Sequence, residues 1–594
     1  MHQDLLAAYG RELHWLRESA AEFATAHPGL ATRLGLRAGE SGEPHVERLL
    51  EGVAFLTART ACRVDAEFER LAQDLAQAVA PDLLCPLPSG SLVQFRPLPT
   101  LQPRLRSVIA RHSALRYQLD DGRDVHFRTV ADVELRPLTL QVLPAPSRAE
   151  LARALGGSSE LVHAQAVRVA LRTAPGRPLR EAVGAFLDLH CCGPQAGWLW
   201  NFLSRPDLTL LLVEPGAATG PARRPQGPAG LRRVGWADDE ALLPNECALP
   251  SAVRLLREAL LWPQRFLALR LDRLAERLAG WPGDGVELWW LAPERGPAPT
   301  LGAEDLRPFC CPVVSLSRRR CEPIIPSPLQ SDHALRLPPT DAPGHAIVAV
   351  DQVDLRSGQG RIRRLRPLAD LPGGAPMPDG DGCYAVRRQP RWQAPGASGQ
   401  EAFDWRIAPS LDAAPDGAAA GDMLRVSVWT SQRVDELQAD DAGRWRLDEV
   451  AAVQGVSGVG APVGAQAQPP LAADRLLRAL HWRIDRLRSL PPEALAQRLE
   501  AWLSIFGPPQ RLPGLLGARL ESLVRRLPDE AVNIHVRGWR LRLEVDARTA
   551  DDPAACLWPQ LLAAVLQRQL AGCAFVECRF ERAGRVVLEG QAWP

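Results

Sequence analysis

The chain has 594 residues, of which 46 % are hydrophobic, so it is too long for one core and predicts roughly three to five domains. Its 70 basic residues are all arginine and nearly balance 69 acidic residues, which argues against a field that draws nucleic acid or an anionic membrane. The twelve scattered cysteines include no CxxC pair, and the apolar runs are far shorter than the ~18 residues of a membrane span. We therefore expect a soluble cytoplasmic protein with reduced thiols.

Residues 1–80 have the apolar spacing of helices. Pro28 ends or kinks the first helix, and Pro44, a residue suited to a first helical turn, starts a second that runs to Pro81. Unbroken, this second helix would be on the order of 55 Å long. Gly52 inside it costs about 1 kcal/mol against Ala, which predicts that another backbone approaches closely there. The apolar faces of the two helices consist of Leu6, Tyr9, Leu13, Leu16, Ala20 and Phe23, and of Val46, Leu49, Leu50, Val53, Leu56, Val64, Phe68, Leu71, Leu75 and Val79.

From residue 91 the pattern changes to the alternation of half-buried strands, as in "SLVQFRPL" and "AVRVALRT". Residues 252–278 are mostly helical, with "RFLALRL" as a candidate strand, and residues 474–526 return to helix. The chain ends in strand, helix and strand-pair patterns. Segments rich in Pro and Gly predict loops at 214–230, 368–399 and 454–470.

Together these patterns predict an α+β multidomain fold. We expect an N-terminal helical region, β-rich middle domains, a helical segment and a small α+β C-terminal module. The expected boundaries are 1–88, 89–345 (β-rich α+β), 346–470 (β-rich with long loops), 471–527 (helical) and 528–594 (α+β).

Motifs for catalysis or metal binding are incomplete. His45-x-Glu47 is half of a zinc-deaminase signature, but the PCxxC half is missing, and an acidic first helical turn explains it better. Neither HExxH nor GxSxG occurs. "GVSGVG" at 455–460 is interpreted as a flexible linker rather than a phosphate cradle, and "HCC" at 190–192 as buried small residues rather than metal ligands. We therefore predict no cofactor, no metal and no enzymatic activity.

Arginine and tryptophan are the residue types that remain unexplained. Arginines cluster at 318–320 and 361–366, where a solvated face and the rim of a protein interface are the alternatives. Most of the seventeen tryptophans belong to cores, while some fit interface anchors. Large size, neutral charge and long helices with charged residues along them favour a structural subunit of an assembly. An intracellular hydrolase is the alternative.

A long N-terminal stretch carries a family resemblance. "YGRELHWLRESAAEFATAHPGLATRLGL" (9–36) and "EPHVERLLEGVAFLTARTACRVDAEFERLAQDLAQAVAPDLLCPLPSGSLVQF" (43–95) resemble the signature of the TssF family, also called VasA or ImpG, of the type VI secretion baseplate. The resemblance continues in "LWPQRFLALRL" (261–271), "FCCPVVSLSRRRCEPI" (309–324) and "VRGWRLRLEVD" (536–546). Ser315 and Ser317 depart from the Asn and Phe of that family.

The resemblance implies a structural role and a set of partners. Two TssF copies and one TssG would form a wedge, and TssK would attach mainly through TssG. Six wedges would surround the VgrG hub, and the resulting baseplate would be the platform on which tube and sheath polymerise. It implies no nucleic acid, no membrane insertion and recruitment from the cytoplasm to the inner-membrane complex. The candidate helical and interface residues from the signature are Tyr9, Arg11, Glu12, Arg17, Phe23, Glu47, Arg48, Glu51, Phe55 and Arg59.

Overall fold

The described chain forms two compact units, residues 2–35 with 44–76, and the described residues from 77 onward. A computed structural model describes residues 2–35, 44–79, 85–98, 101, 107–155, 163–175, 177–215, 231–243, 252–281, 283–327, 329–340, 345–368, 382–390, 403–410, 422–432, 443–448, 452–464, 489–507, 509–526, 535–551, 553–569 and 574–592. Within these ranges no helix is long and apolar enough to cross a membrane. The five-part division expected from the sequence stays a prediction.

The first unit is helical. It contains α1 (His2–Ala26), α2 (Pro28–Arg33) and α3 (Pro44–Val79). The first helix ends before Pro28, as the sequence predicts, and Pro28 itself starts the short helix α2, which the sequence does not predict. Thirty-six residues without a break make α3 about 54 Å long. Both helix predictions are confirmed.

The second unit combines six sheets with shorter helices. The helices are α4 (Arg148–Leu155), α5 (Leu179–Ala182), α6 (Ala196–Leu203), α7 (Ala252–Leu261), α8 (Leu274–Arg277), α9 (Pro492–Leu503), α10 (Ala547–Asp551) and α11 (Trp558–Gln569). The strands are β1 (Gly90–Pro97), β2 (Ser107–Ile109), β3 (Ala114–Gln118), β4 (Asp124–Thr129), β5 (Val133–Leu135), β6 (Leu138–Leu143), β7 (Gln165–Thr173), β8 (Phe186–Cys191), β9 (Thr209–Val213), β10 (Leu231–Val234), β11 (Ala268–Asp272), β12 (Gly285–Ala292), β13 (Leu306–Pro308), β14 (Cys310–Val314), β15 (Ser317–Arg320), β16 (His333–Ala334), β17 (His345–Arg356), β18 (Ile362–Pro367), β19 (Cys383–Pro390), β20 (Phe403–Ser410), β21 (Met423–Gln432), β22 (Trp445–Leu447), β23 (Val453–Val463), β24 (Leu515–Arg526), β25 (His535–Val545), β26 (Phe575–Arg582) and β27 (Arg585–Ala592). This content is the α+β multidomain class that the sequence predicts.

The sheets bring distant parts of the chain together. A six-stranded sheet has the order β22-β3-β4-β14-β1-β23, and a seven-stranded sheet has the order β15-β21-β17-β18-β19-β20-β16. Two four-stranded sheets, β10-β11-β8-β13 and β6-β7-β12-β9, are formed by strands that lie between β4 and β14 in sequence, and β2 pairs with β5. Strand β12 is buried at every position because it is central in its sheet. The C-terminal sheet has the order β24-β25-β26-β27.

Three local predictions are wrong. Residues 515–526, expected to be helical, form β24, whose twelve residues pair with β25. Residues 455–460, expected to be a linker, lie inside β23, and 455–459 pair with β1, for example Gly458 with Val93. Residues 383–390, inside an expected loop, form β19 and pair with β20. Pairing with another strand, which is the next one along the chain for β19 and β24 and a distant one for β23, supplies the backbone hydrogen bonds and overrides the local pattern.

Helix α7 carries a buried network of charges. Glu258 is 1 % exposed, and its carboxylate forms ion pairs with Arg254, at 3.3 Å, and with Arg265. The Leu242 backbone N–H also donates to Glu258 Oε1, at 3.2 Å. Burial lowers the pKa of Arg265 to about 9, so its guanidinium is still charged at neutral pH. Glu258 therefore compensates two buried cations.

We expect Glu258→Ala to reduce the free energy of unfolding by about 3–5 kcal/mol, because it removes the carboxylate that pairs with buried Arg265 and also with Arg254, which keeps its ion pair with Asp238. Urea unfolding followed by tryptophan fluorescence measures the change. Glu500→Ala is the matched control, since Glu500 is exposed on α9. Equal unfolding midpoints for the two variants would contradict the prediction.

Candidate assembly interface

The buried apolar side chains described in α1, α2 and α3 are small. They are alanines at positions 8, 31, 54, 58 and 72, each at most 6 % exposed. Alanine offers little apolar area compared with leucine or phenylalanine, so this unit gains little hydrophobic stabilisation from the faces it buries. None of the large apolar side chains described in these three helices is buried.

One line of large apolar residues on α3 faces solvent. Each member is between 49 and 69 % exposed, and the spacing of three, four or eight residues places all of them within about 120° of the helix circumference. We call this set the α3 stripe, and it extends about 39 Å along the helix. Its members are Leu49, Val53, Leu56, Val64, Phe68, Leu71 and Leu75.

An ion pair joins α1 to the start of α3. Arg17 Nε donates a hydrogen bond to Glu47 Oε1 at 2.9 Å. This hydrogen bond is the main reason that the pKa of Arg17 is raised, and Glu51 and Tyr9 lie close enough to raise it further. The structure therefore brings together four of the ten residues that the signature nominated. The pair is on the surface, so it orients the two helices more than it stabilises them.

The other nominated residues are spread over the helical unit. Phe55 is 46 % exposed and lies about 240° around α3 from Leu49, away from the stripe. Phe23 is 36 % exposed, and its ring centroid lies 5.2 Å from that of His27. Exposed positions are also found at Arg11, Arg48, Glu51 and Arg59, whereas Glu12 and Tyr9 are half-buried. Their role in an interface stays a prediction.

The sequence motifs that could hold a metal lie apart or are buried. His45 is exposed, while Glu47 faces Arg17. His190 and Cys191 belong to the buried strand β8, where burial lowers the pKa of His190 to about 4 and raises the pKa of Cys191. Burial also raises the pKa of Cys192 to about 12, so this thiol keeps its proton at neutral pH. Over the described ranges, no three or more His, Cys, Asp or Glu residues are placed to hold a metal ion.

The arginine clusters lie on one sheet of the second unit. Residues 318–320 are in β15 and 362–366 are in β18. Arg318 pairs with Asp351 at 2.6 Å and donates to Gln352 at 2.8 Å. Whether these arginines rim an interface or form a solvated face stays a prediction.

The α3 stripe was missed as a functional feature in the sequence, although its spacing was recognised as helical. All seven of its members belong to the predicted apolar face, and none is among the nominated residues. The sequence does contain this signal. Seven large apolar residues share one face of α3, whereas the buried apolar residues described in α3 are alanines, so packing within the unit does not account for the seven. An exposed apolar surface of this length is typical of a protein interaction site.

Comparison with protein families gives a match over nearly the whole chain. The description "Type VI secretion system, TssF" fits residues 1–592. One curated relative, "Type VI secretion system component TssF1" from Pseudomonas aeruginosa, is 34 % identical over 404 residues. That match covers 66 % of this chain and 64 % of the relative, so the chain spans less than two thirds of the relative's length.

Two solved structures share the fold. A chain of the type VI secretion TssK-TssF-TssG baseplate subcomplex, determined by cryo-electron microscopy, has a TM-score of 0.68 at 18 % identity and covers 92 % of this chain and 98 % of its own. A chain of "The baseplate complex from the type VI secretion system" has a TM-score of 0.50 at 17 % identity, covering 99 % and 98 %. At these identities the likeness concerns the fold.

Gly52 offers a test of whether another part of the chain contacts α3 at this position. The sequence predicts a close backbone neighbour there, but no described atom lies within 4 Å of a Cβ built at Gly52, so that prediction is wrong for the described chain. We expect Gly52→Ala to stabilise the purified chain by about 1 kcal/mol, since alanine is the better helix former. Thermal unfolding measures this, with Gly10→Ala in α1, which is equally open, as the control. A lower unfolding temperature for Gly52→Ala would contradict an open surface here.

Proposed function

This chain belongs to the type VI secretion system TssF family, and from that membership we propose that it is a structural subunit of the secretion baseplate. The observation that supports this role in the molecule itself is the α3 stripe. A structural subunit must bury area against its neighbours, and the stripe presents large apolar side chains at the helical spacing that a partner helix or groove accepts.

The proposed partner at the stripe is a TssG protein, with a second copy of this chain in the same wedge. The related chain with a TM-score of 0.68 was solved in a TssK-TssF-TssG subcomplex, which supports these partners. A ratio of two TssF copies to one TssG is the proposed stoichiometry. The ten signature residues, including Arg17 and Glu47, would orient α1 and α3 at this contact.

The remaining contacts follow from the proposed position in the wedge. TssK would attach mostly through TssG, and six wedges would surround the VgrG hub and start tube and sheath assembly. The subunit would act in the cytoplasm, be recruited to the inner-membrane complex through the baseplate, and need no cofactor or nucleic acid. We propose that it catalyses no reaction. In the part of the chain that the structure describes, no observation favours the hydrolase alternative.

The near balance of 70 basic and 69 acidic residues fits a subunit of a dense assembly. A protein with little net charge does not repel identical neighbours, so several copies can pack side by side. This charge balance holds for the chain as a whole and does not distinguish one neighbour from another. Recognition of each neighbour therefore depends on local patches such as the α3 stripe.

We expect Leu56→Asp and Leu71→Asp to abolish the complex with TssG. A charge in an apolar contact without a partner costs several kcal/mol, and both residues are more than half exposed in the free chain, so folding should be unaffected. The measurement is co-expression with the TssG of the same secretion system, followed by native mass spectrometry, where the unmodified chain should give a two-to-one complex.

Leu329→Asp is the matched control, because Leu329 is 94 % exposed and belongs to the second unit. It should leave the two-to-one complex intact, and all three variants should unfold at the temperature of the unmodified chain. An intact complex with either stripe variant would rule out the stripe as the TssG contact.

A further inference from the structure

A large open cleft lies within the second unit, between the C-terminal sheet and the elements around α6 and β10. Its volume is about 1290 Å³. One wall is strand β27, from Val586 to Ala592, and the opposite wall includes Trp198 and Phe202 of α6 together with Arg233 of β10. It is therefore long enough to hold several residues of an extended polypeptide.

Strand β27 is the edge of its sheet, which makes its outer backbone groups available. It pairs with β26 on one side, and in the described chain no strand pairs with its other side. Val586 and Val587 are 44 and 38 % exposed, so the edge carries apolar side chains toward solvent. Proteins commonly cover or charge such an edge, because it is a template for another strand.

One side chain already imitates a neighbouring strand at the end of this edge. Gln560 Nε2 donates to the Gln591 carbonyl, and the Gln591 N–H donates to Gln560 Oε1, both at 2.9 Å. The backbone groups of Gln591 therefore point away from β26. Since direction alternates along a strand, those of Glu589 point the same way, and the register is regular from Glu589 to Gln591. The Glu589 N–H is thus positioned to donate to an added strand.

The cleft is rich in positive charge. Seven arginines and two glutamates line it. Five of these arginines have a carboxylate oxygen within 3.6 Å: Arg205 pairs with Asp207, Arg232 with Asp272, Arg295 with Glu589, Arg525 with Glu577 and Arg568 with Asp238. Arg579 is no closer than 4.0 Å to Glu577 and Glu589, which leaves it weakly paired. A ligand that brings carboxylates would complete the pairing of the remaining arginines.

Among the described residues, no carboxylate forms an ion pair with Arg233, another cation of the cleft. Its Nε is buried without a hydrogen-bond partner, and its guanidinium lies 5.7 Å from the centre of the Trp200 ring. Burial lowers its pKa to about 10, so it is charged at neutral pH. Arg233 is half-buried, and a guanidinium whose Nε is buried without a partner is costly, so an incoming carboxylate would relieve that cost.

We propose that this cleft binds an extended, acidic segment of a partner polypeptide, which adds to β27 as a fifth strand and places a carboxylate on Arg233. The backbone of the segment would bond to the free groups of Glu589, and its acidic side chains would meet the arginines of the opposite wall. Such strand addition combines backbone affinity with side-chain selectivity. The proposal does not depend on the α3 stripe or on the role proposed for it.

The test uses the full chain and a fluorescein-labelled octapeptide of alternating Glu and Val, titrated by fluorescence anisotropy. A peptide of alternating Gln and Val is the neutral control and should bind at least ~tenfold more weakly, because it cannot pair with the arginines. Arg233→Gln should weaken binding of the acidic peptide by ~tenfold or more. Arg425→Gln, at an exposed arginine of β21, should change nothing.

Two substitutions at Glu589 separate backbone pairing from charge. Glu589→Ala removes a carboxylate that competes for Arg295 but keeps the N–H, so acidic peptide should bind as tightly as before or more tightly. Glu589→Pro also removes the carboxylate but lacks the N–H, and should bind at least ~tenfold more weakly than Glu589→Ala. Proline is tolerated where an edge N–H faces outward, and unchanged thermal unfolding would verify that the sheet is intact.

Three results would overturn the proposal. Equal binding of the acidic and neutral peptides would indicate an apolar groove without charge selection. Equal binding by Glu589→Ala and Glu589→Pro would exclude strand addition. Failure of the unmodified chain to bind the acidic peptide would mean that the cleft is not open to a partner, which includes the case that a segment of this chain fills it.

Discussion

The proposed role depends on one interaction, the burial of the exposed apolar side of α3 against a partner. A 36-residue helix has more apolar surface than its small unit covers, and the sides it does bury carry alanines at positions 54, 58 and 72. The larger side chains of the α3 stripe contribute most of the apolar area available for burial. Because that area is stabilising only when water is removed from it, the helix has a strong tendency to associate. Membership of the TssF family indicates where this association would take place, in a baseplate in which each subunit is held by its neighbours.

The second unit differs from α3, because it buries its apolar strands and pairs its buried charges within its own structure. Strand β12 is buried along its whole length, and Glu258 compensates two arginines inside the protein. A unit held by sheets and by a buried ion network can transmit force without rearranging its core. Among the surfaces that it leaves open are the outer edge of β27 and the guanidinium of Arg233. Its proposed contribution to an assembly is therefore a packed body with a defined cleft.

Local sequence patterns predicted the structure correctly where residues close together in sequence determine it. The limits of α1 and α3 follow from Pro28 and Pro44 and from apolar spacing, and β25, β26 and β27 follow from alternation. The same reasoning failed for β19, β23 and β24. The segment 515–526 has leucines at helical intervals, yet its backbone bonds to β25, and glycines at 455, 458 and 460 did not prevent pairing with β1. Strand pairing is decided by a partner that a local window does not contain.

The sequence by itself determined that α3 is a long amphipathic helix, that the chain carries the signature of its family, and that no complete catalytic motif is present. Only the tertiary structure decided which side of α3 is buried, that Arg17 meets Glu47 from thirty residues away, and that Arg233 and Glu589 share a cleft. The physical reason is that periodicity fixes the angle of a side chain around its own helix or strand. Burial and pairing depend instead on what lies opposite, and that neighbour comes from a distant part of the chain.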